Sequence, residues 1–176
     1  MQDIIKKAKN IELVIFDIDG VMTDGSLFFD NQGEEYKAFN SFDGHGLRML
    51  QECGVRVAVI TGRKSELVKH RMQDLGVNLL YQGYRDKTPA FELLMKEVNL
   101  QKEQITYVGD DVVDLPIMSQ LNCAIAVQNA HPFVKQHAHW ITDRSGGRGA
   151  VRDVCELILE AKGLLDDKLH SYLHQS

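Results

Sequence analysis

Val14-Ile15-Phe16-Asp17-Ile18-Asp19-Gly20 is an apolar run that closes on two carboxylates and a glycine. With Ile11 and Leu13 before it, the run has the composition of a strand covered on both faces of a parallel sheet, which reads as continuous rather than alternating. Ligands of such sheets sit in crevices beyond the carboxyl ends of the strands, where Asp17 and Asp19 fall. Strand periodicity sends residues i and i+2 to one side, so the two acids can converge on one cation, with Gly20 free to bend the chain behind them.

Outward from this strand the pattern repeats. Apolar segments at 55–60, 78–81, 105–108, 123–127 and 139–142 join the one at 11–16, and helical patterns at 45–53, 65–75, 88–98, 112–121 and 150–162 separate them. This alternation predicts an α/β fold, a Rossmann-like three-layer sandwich around a mainly parallel sheet. Thr88 is a candidate N-cap with Pro89 in the first turn, and Gly54 and Gly76 mark two helix ends. One segment breaks the rhythm: residues 26–40, with a turn through Asp30-Asn31-Gln32-Gly33, read as a β-hairpin inserted after the first strand. Its aromatics Phe28, Phe29, Tyr36 and Phe39 would leave a small solvated hairpin unstable, which points to packing against another subunit.

A chain of 176 residues with 44% hydrophobic composition fits one domain with a sizeable core, residues 1–176. Twenty basic against 25 acidic residues, a formal charge of −5, argue against nucleic acid or an acidic membrane as partner. Cys53, Cys123 and Cys155 form no CxxC and read as free thiols. The polar segment from Met1 to Asn10 lacks a targeting core, and no stretch nears the roughly 18 apolar residues of a spanning helix, so cytoplasmic residence is expected.

Further strand ends carry matching chemistry. Thr61 follows Val57-Ala58-Val59-Ile60, Lys87 precedes a helix, and Gly109-Asp110-Asp111-Val112-Val113-Asp114 follows Ile105-Thr106-Tyr107-Val108. Two like charges about 4 Å apart repel by about 1 kcal/mol in water and about 4 kcal/mol at an effective dielectric near 20, so clustered aspartates need a counter-ion. A set of oxygen ligands without histidine or cysteine favours Mg²⁺. Taken singly, each motif has a plainer reading: DxD as a solvated strand end, Thr61 as a helix cap, Lys87 as a solvated lysine, GDDxxD as an acidic helix start favoured by the dipole. That last reading suits Asp114. Agreement in order is what makes the group functional.

DxDG, a Thr-Gly after the second strand, a lysine and GDDxxD resemble the four motifs of the haloacid dehalogenase-like phosphatases. In detail Phe16 to Gly25, Ile60-Thr61-Gly62-Arg63 and Gly146 to Arg152 are similar to the capless branch that acts on 3-deoxy-D-manno-octulosonate 8-phosphate (KDO 8-phosphate) in lipopolysaccharide precursor biosynthesis. The resemblance implies Asp17 as nucleophile of an aspartyl-phosphate route, Asp19 as proton donor and then base, and Thr61 and Lys87 on the phosphoryl oxygens. It implies Mg²⁺ on Asp17, Asp19 (through its backbone carbonyl) and Asp110, with Asp111 and Asp114 supporting the site from behind. Asp19, Lys87, Arg48, Arg63, Arg71 and the loop residues Asn40, Asp43 and Gly44 would meet the acidic sugar phosphate, arginine being suited to a carboxylate. The chain departs from the pattern at Ser41-Phe42, where the family commonly has Val-Arg, so another acidic sugar phosphate such as a nonulosonate 9-phosphate stays open as substrate.

The resemblance also implies a homotetramer whose subunits help enclose each site. The tail from Leu164 to Ser176, with Leu165, Leu169, Tyr172 and Leu173 at helical spacing, either lies across a neighbour's site or frays in solvent. Gly146-Gly147-Arg148-Gly149 lacks the P-loop spacing and reads as a mobile segment or helix-entry geometry, to which the resemblance adds a place near the site mouth. The seven histidines take no role. Two other classes remain: a phospho-acceptor signalling module, which uses similar parts in a different strand order, and a purely structural subunit.

Overall fold

The computed structural model describes residues 2–174, so Met1, Gln175 and Ser176, the last two residues of the predicted tail, lie outside the described residues. Strand β1 (Leu13–Phe16) is buried at every position, and each such Leu, Ile or Phe contributes about 1.5–3 kcal/mol of transfer free energy. It lies between β4 (Arg56–Thr61) and β6 (Ile105–Gly109). With β5 (Leu79–Gln82), β7 (Cys123–Ala126) and β8 (Trp140–Ile141) they make a six-stranded sheet in the order β5-β4-β1-β6-β7-β8, parallel throughout. The connection reverses direction at β1 and β6, so a crevice opens beyond their carboxyl ends.

Helices cover both faces. On one, α2 (Ser41–Glu52) and α1 (Gln2–Lys9) pack on α7 (Ala150–Ala161), where the short α8 (Leu165–Ser171) also rests. The right-handed crossover rule puts α3 (Glu66–Asp74) on that face and α4 (Thr88–Val98), α5 (Leu115–Met118) and α6 (Pro132–His137) on the other. Gly54 and Gly76 take positive φ just after α2 and α3, as their positions predict. Among the described residues no helix is long and apolar enough to cross a membrane.

Three departures from the predicted elements have physical causes. Helix α2 begins four residues early because the Asn40 side chain accepts from the Phe42 and Asp43 amides. The helix predicted over 112–121 shrinks to a 3₁₀ turn at Val112–Asp114 and one α-turn, since Asp111 and Asp114 cap each other's backbone there. Thr88 is helical and the preceding Lys87 takes the cap position, while Asp86 accepts from the Thr88 amide. The inserted hairpin is present in reduced form, β2 (Phe28–Phe29) pairing with β3 (Glu35–Tyr36).

Candidate active site

Past Phe16 the chain leaves the sheet in one wide turn over Ile18–Met22, closed by the Thr23 amide donating to the Ile18 carbonyl at 3.0 Å. Gly20 sits in it at φ +95, where an added Cβ would come within 2.0 Å of Asp110 Oδ2. Absence of a side chain here is what admits the Asp110 carboxylate against the turn. Asp17, at the head of the turn, is 6% exposed. Its Oδ1 accepts from the Ile18 amide at 2.7 Å and its Oδ2 lies 2.9 Å from Lys87 Nζ.

Lys87 stands in front of α4 and is buried with its partners. Besides Asp17, its ammonium donates to Asp114 Oδ1 at 2.6 Å and to the Tyr107 hydroxyl at 3.1 Å, which uses the donors an ammonium has. Asp114 is fully buried, contrary to its reading as an acid at an open helix start. Tyr107 donates to its Oδ1 at 2.7 Å, and the Asp110 and Asp111 amides donate to its Oδ2 at 3.0 and 3.2 Å. Asp114 is thus a brace that fixes Lys87 and the loop bearing Asp110. Thr61, buried at the end of β4, uses its carbonyl to hold the Gly83 and Tyr84 amides, tying that strand end to the loop after β5.

Asp17, Asp110 and Asp114 each offer a carboxylate oxygen within 4.8 Å of the others. Asp114 has both oxygens engaged, whereas Asp110 Oδ1 is buried without a hydrogen-bond partner among the described residues. Burial and the neighbouring Asp114 and Asp17 push the Asp110 carboxyl up to about 8. Burial also raises Asp17, to about 6, with Lys87 opposing the rise. For Lys87, burial acts downward but Asp17 and Asp114 outweigh it, so the ammonium is held above its ordinary range. An orphaned oxygen and two carboxyls that resist joint ionisation fit a hard cation, and the oxygen-only donors suit Mg²⁺.

A cleft of about 660 Å³ opens on this group, lined by Asp17, Asp19, Thr61, Arg63, Lys87 and Asp110 among others. Six sequence-predicted residues are therefore brought together, one each from the ends of β1, β4 and β6 and the rest from adjoining turns. Asp19 faces the hairpin: its carboxylate pairs with Lys37 and lies 3.9 Å from Arg63 Nε. Lys37 and Tyr107 escaped the sequence reading. The signal for Tyr107 was a phenol in a fully buried strand, where its hydroxyl must find a partner; for Lys37 it was the i, i+2 spacing from Glu35, which puts opposite charges on one side of a strand.

Asn40, Asp43, Gly44, Arg48 and Arg71 lie outside the lining of this cleft in the single chain. Asn40 caps α2 and donates to the Gly147 carbonyl at 3.2 Å. Asp43 is buried and accepts from the Gly149 and Arg152 amides at 3.3 and 3.0 Å, joining α2 to the start of α7. Arg71 donates to Asp74 at 2.8 Å and passes over Gly44, where an added Cβ would meet its guanidinium at 2.2 Å. Arg48 donates to the Asp74 carbonyl at 3.2 Å on the exposed surface. The glycine segment has a clear place: the Gly147 amide donates to the Val21 carbonyl at 2.9 Å, and Gly146 packs so tightly that a Cβ would fall 1.7 Å from the Gly20 carbonyl oxygen. It is the floor under the turn that carries Asp19.

A model of haloacid dehalogenase-like hydrolases matches residues 80–153. The chain is 47% identical over 165 residues to the 3-deoxy-D-manno-octulosonate 8-phosphate phosphatase of Escherichia coli K12, covering 94% of this chain and 88% of that protein. The solved structure of the Yersinia pestis phosphatase of that name superposes with a TM-score of 0.92 at 48% identity, over 93% of this chain and 89% of that one. That of Moraxella catarrhalis, in complex with a magnesium ion, a phosphate ion and a KDO molecule, gives 0.95 at 38% identity over 98% and 99%. A parallel sheet whose central strand ends carry this acid–lysine constellation, together with such likeness along nearly the whole chain, shows that the chain belongs to the 3-deoxy-D-manno-octulosonate 8-phosphate phosphatase family of the haloacid dehalogenase-like hydrolases.

Proposed function

We propose that this chain hydrolyses KDO 8-phosphate to KDO and phosphate with Mg²⁺, using Asp17 as nucleophile. The observation that carries the reading is a buried carboxylate, Asp17, held by Lys87 beside an Asp110 oxygen that has no partner. Asp17 attacks phosphorus as the bond to the sugar oxygen breaks, and Asp19 protonates that oxygen. Water then attacks the aspartyl-phosphate, the Asp19 carboxylate takes its proton, and the bond to Asp17 breaks, so one difficult displacement becomes two easier ones. The Thr61 hydroxyl holds phosphoryl oxygens, and so does the Lys87 ammonium by turning the donor it gives to Asp17 towards them, its other two being already fixed by Asp114 and Tyr107 before any substrate arrives. Asp17, Asp110 and the Asp19 backbone carbonyl would hold Mg²⁺, which when bound neutralises charge on the carboxylates and the phosphoryl group.

Arg63 lies in the cleft and suits the sugar carboxylate. For Asn40, Arg48 and Arg71 we propose a contribution across a homotetramer interface, supported by the exposed hairpin face of Phe28, Phe29 and Tyr36 at 55, 53 and 57%; Asp43 and Gly44, buried within their own chain, would act only by fixing the loop that carries Asn40. One catalytic domain over residues 1–176 is supported by the central six-stranded sheet and its continuous core, and cytoplasmic residence by three free thiols. A second substrate reading, another acidic sugar phosphate, is favoured by Phe42, which stacks between Arg144 and Arg152 at 4.8 and 4.6 Å where a basic residue is common.

The test ranks a panel of sugar phosphates by kcat/KM with Mg²⁺. KDO 8-phosphate should lead, and Asp17→Asn should abolish phosphate release while folding normally. A nonulosonate 9-phosphate in first place would move the assignment to the second reading. No turnover of any ester would reject the phosphatase mechanism, and light scattering at monomer mass would reject the shared site.

A further inference from the structure

Residues 34–37 bring to Asp19 a charge that none of the four sequence motifs contains. The Lys37 side chain is 1% exposed; its ammonium pairs with the Asp19 carboxylate and lies 3.2 Å from Glu35 Oε1. Arg63 completes the group, 3.0 Å from Glu35 and 3.9 Å from Asp19. Lysine is almost never buried this far unless paired, and two cations beside two carboxylates can be desolvated without net charge. For Glu35, burial acts upward, yet Lys37 and Arg63 hold its carboxyl below the ordinary range, as an ion pair requires. A hairpin of two-residue strands has little stability of its own, so this cluster also fixes the arm over the cleft.

We propose that Lys37 is a positioning residue for phosphoryl transfer: it holds the Asp19 carboxyl towards the cleft, so that Asp19 can protonate the departing oxygen and deprotonate the attacking water. This rests on the role given to Asp19 above. Burial distinguishes the proposal from substrate binding. Asp19 keeps 21% of its side chain exposed, whereas Lys37 has almost no surface to offer a sugar. A misplacement of about 1 Å in a reacting group costs on the order of 100-fold in rate, and an Asp19 released from Lys37 can rotate by more than that.

In Lys37→Met, kcat with the sugar phosphate should fall by about 10- to 100-fold with KM nearly unchanged, and Lys37→Arg should restore most of it. A leaving-group comparison supplies a readout that simple loosening of the fold would not move. 4-Nitrophenolate departs without a proton, so with 4-nitrophenyl phosphate the first step is spared and the second is not. Lys37→Met should then release a burst of nitrophenolate close to the enzyme concentration, followed by a slow phase, and acid quenching should trap the phosphoenzyme. In an Asp19→Asn background Lys37→Met should cost nothing further. Should Lys37→Met fail to fold, Lys37→Gln serves the same test. Wild-type kcat in the variant, a rise in KM with kcat intact, or a loss of kcat without a burst would overturn the proposal. If Asp19→Asn keeps full kcat, the role of Asp19 falls instead; full kcat in Lys37→Met beside an inactive Asp19→Asn removes Lys37 alone.

Discussion

Asparagine in place of Asp114 keeps the volume of the side chain and removes one acceptor oxygen and the charge. In the native protein the two oxygens accept from Lys87 at 2.6 Å, Tyr107 at 2.7 Å and the Asp110 and Asp111 amides at 3.0 and 3.2 Å. The introduced carboxamide can turn its oxygen to one pair of donors, and then its NH₂ faces the other pair, donor against donor. Two hydrogen bonds to a charged acceptor are lost, each worth about 1.5–3 kcal/mol. Breaking a buried ion pair outright costs about 3–5 kcal/mol, and Lys87 keeps Asp17 as a partner, so we expect about 3–5 kcal/mol of destabilisation. For a chain of 176 residues that lowers Tm by about 6–20 °C. Urea unfolding and calorimetry of Asp114→Asn, each with chelator and with Mg²⁺, measure it. The brace exists without metal, so the loss should be the same in both conditions. A loss under about 1 kcal/mol, or one confined to the metal-loaded protein, would refute the reasoning and make Asp114 a direct ligand.

Gly146→Ala should be destabilising by about 1–3 kcal/mol and, because its Cβ would strike the Gly20 carbonyl oxygen at 1.7 Å, should also displace the turn carrying Asp19 and lower kcat by more than about 10-fold. Gly54→Ala, strained at φ +85 with nothing within 4 Å, should lose stability but keep kcat; equal kcat in the two variants would contradict the floor assigned to Gly146. Stability should depend on pH through Asp17 and Asp110, whose folded carboxyls sit at about 6 and about 8 against an ordinary 3.8. Raised values mean that the folded state binds protons more tightly, so with chelator the associated stability is full below about pH 4 and is lost as pH climbs through 6 to 8. Metal binds the ionised forms, so the rise in Tm on adding Mg²⁺ should grow between about pH 5.5 and 8.5; a constant rise would contradict the shared site.

The sheet was legible because β1 is an unbroken apolar run with acids at one end, and the later strands are mostly apolar runs too, β6 also leading into acids. Asp17 and Asp110 could be read for the same reason: a charged residue at the end of a buried strand has few structural uses; Lys87, at the start of α4, could be read only from its order behind the acids. Asp111 and Asp114 could not be separated by sequence, since their difference arises from a 3₁₀ turn that rolls the third acid under β6 and leaves the second outside. Tyr107 and Lys37 act through partners 7 and 18 residues away, and although the hairpin could be read from its turn, the way it folds onto Asp19 could not. The arginines show the converse problem. Arg48 and Arg71 have the chemistry to clasp a carboxylate, but in one chain both are directed to Asp74: Arg71 by i, i+3 spacing along α3, and Arg48 by the way α2 lies against α3, which nothing local to Arg48 specifies.

The link from Asp43 to Gly149 and Arg152 spans 106 and 109 residues, and it sets an order on biosynthesis. Because the segment after β8 supplies both the amides that satisfy Asp43 and the glycines beneath the Asp19 turn, a nascent chain holding all six strands of the sheet still lacks the floor of its site. We expect catalysis to wait until α7 has left the ribosome and docked, so that a chain cut after β8 shows a folded sheet at most and no phosphate release.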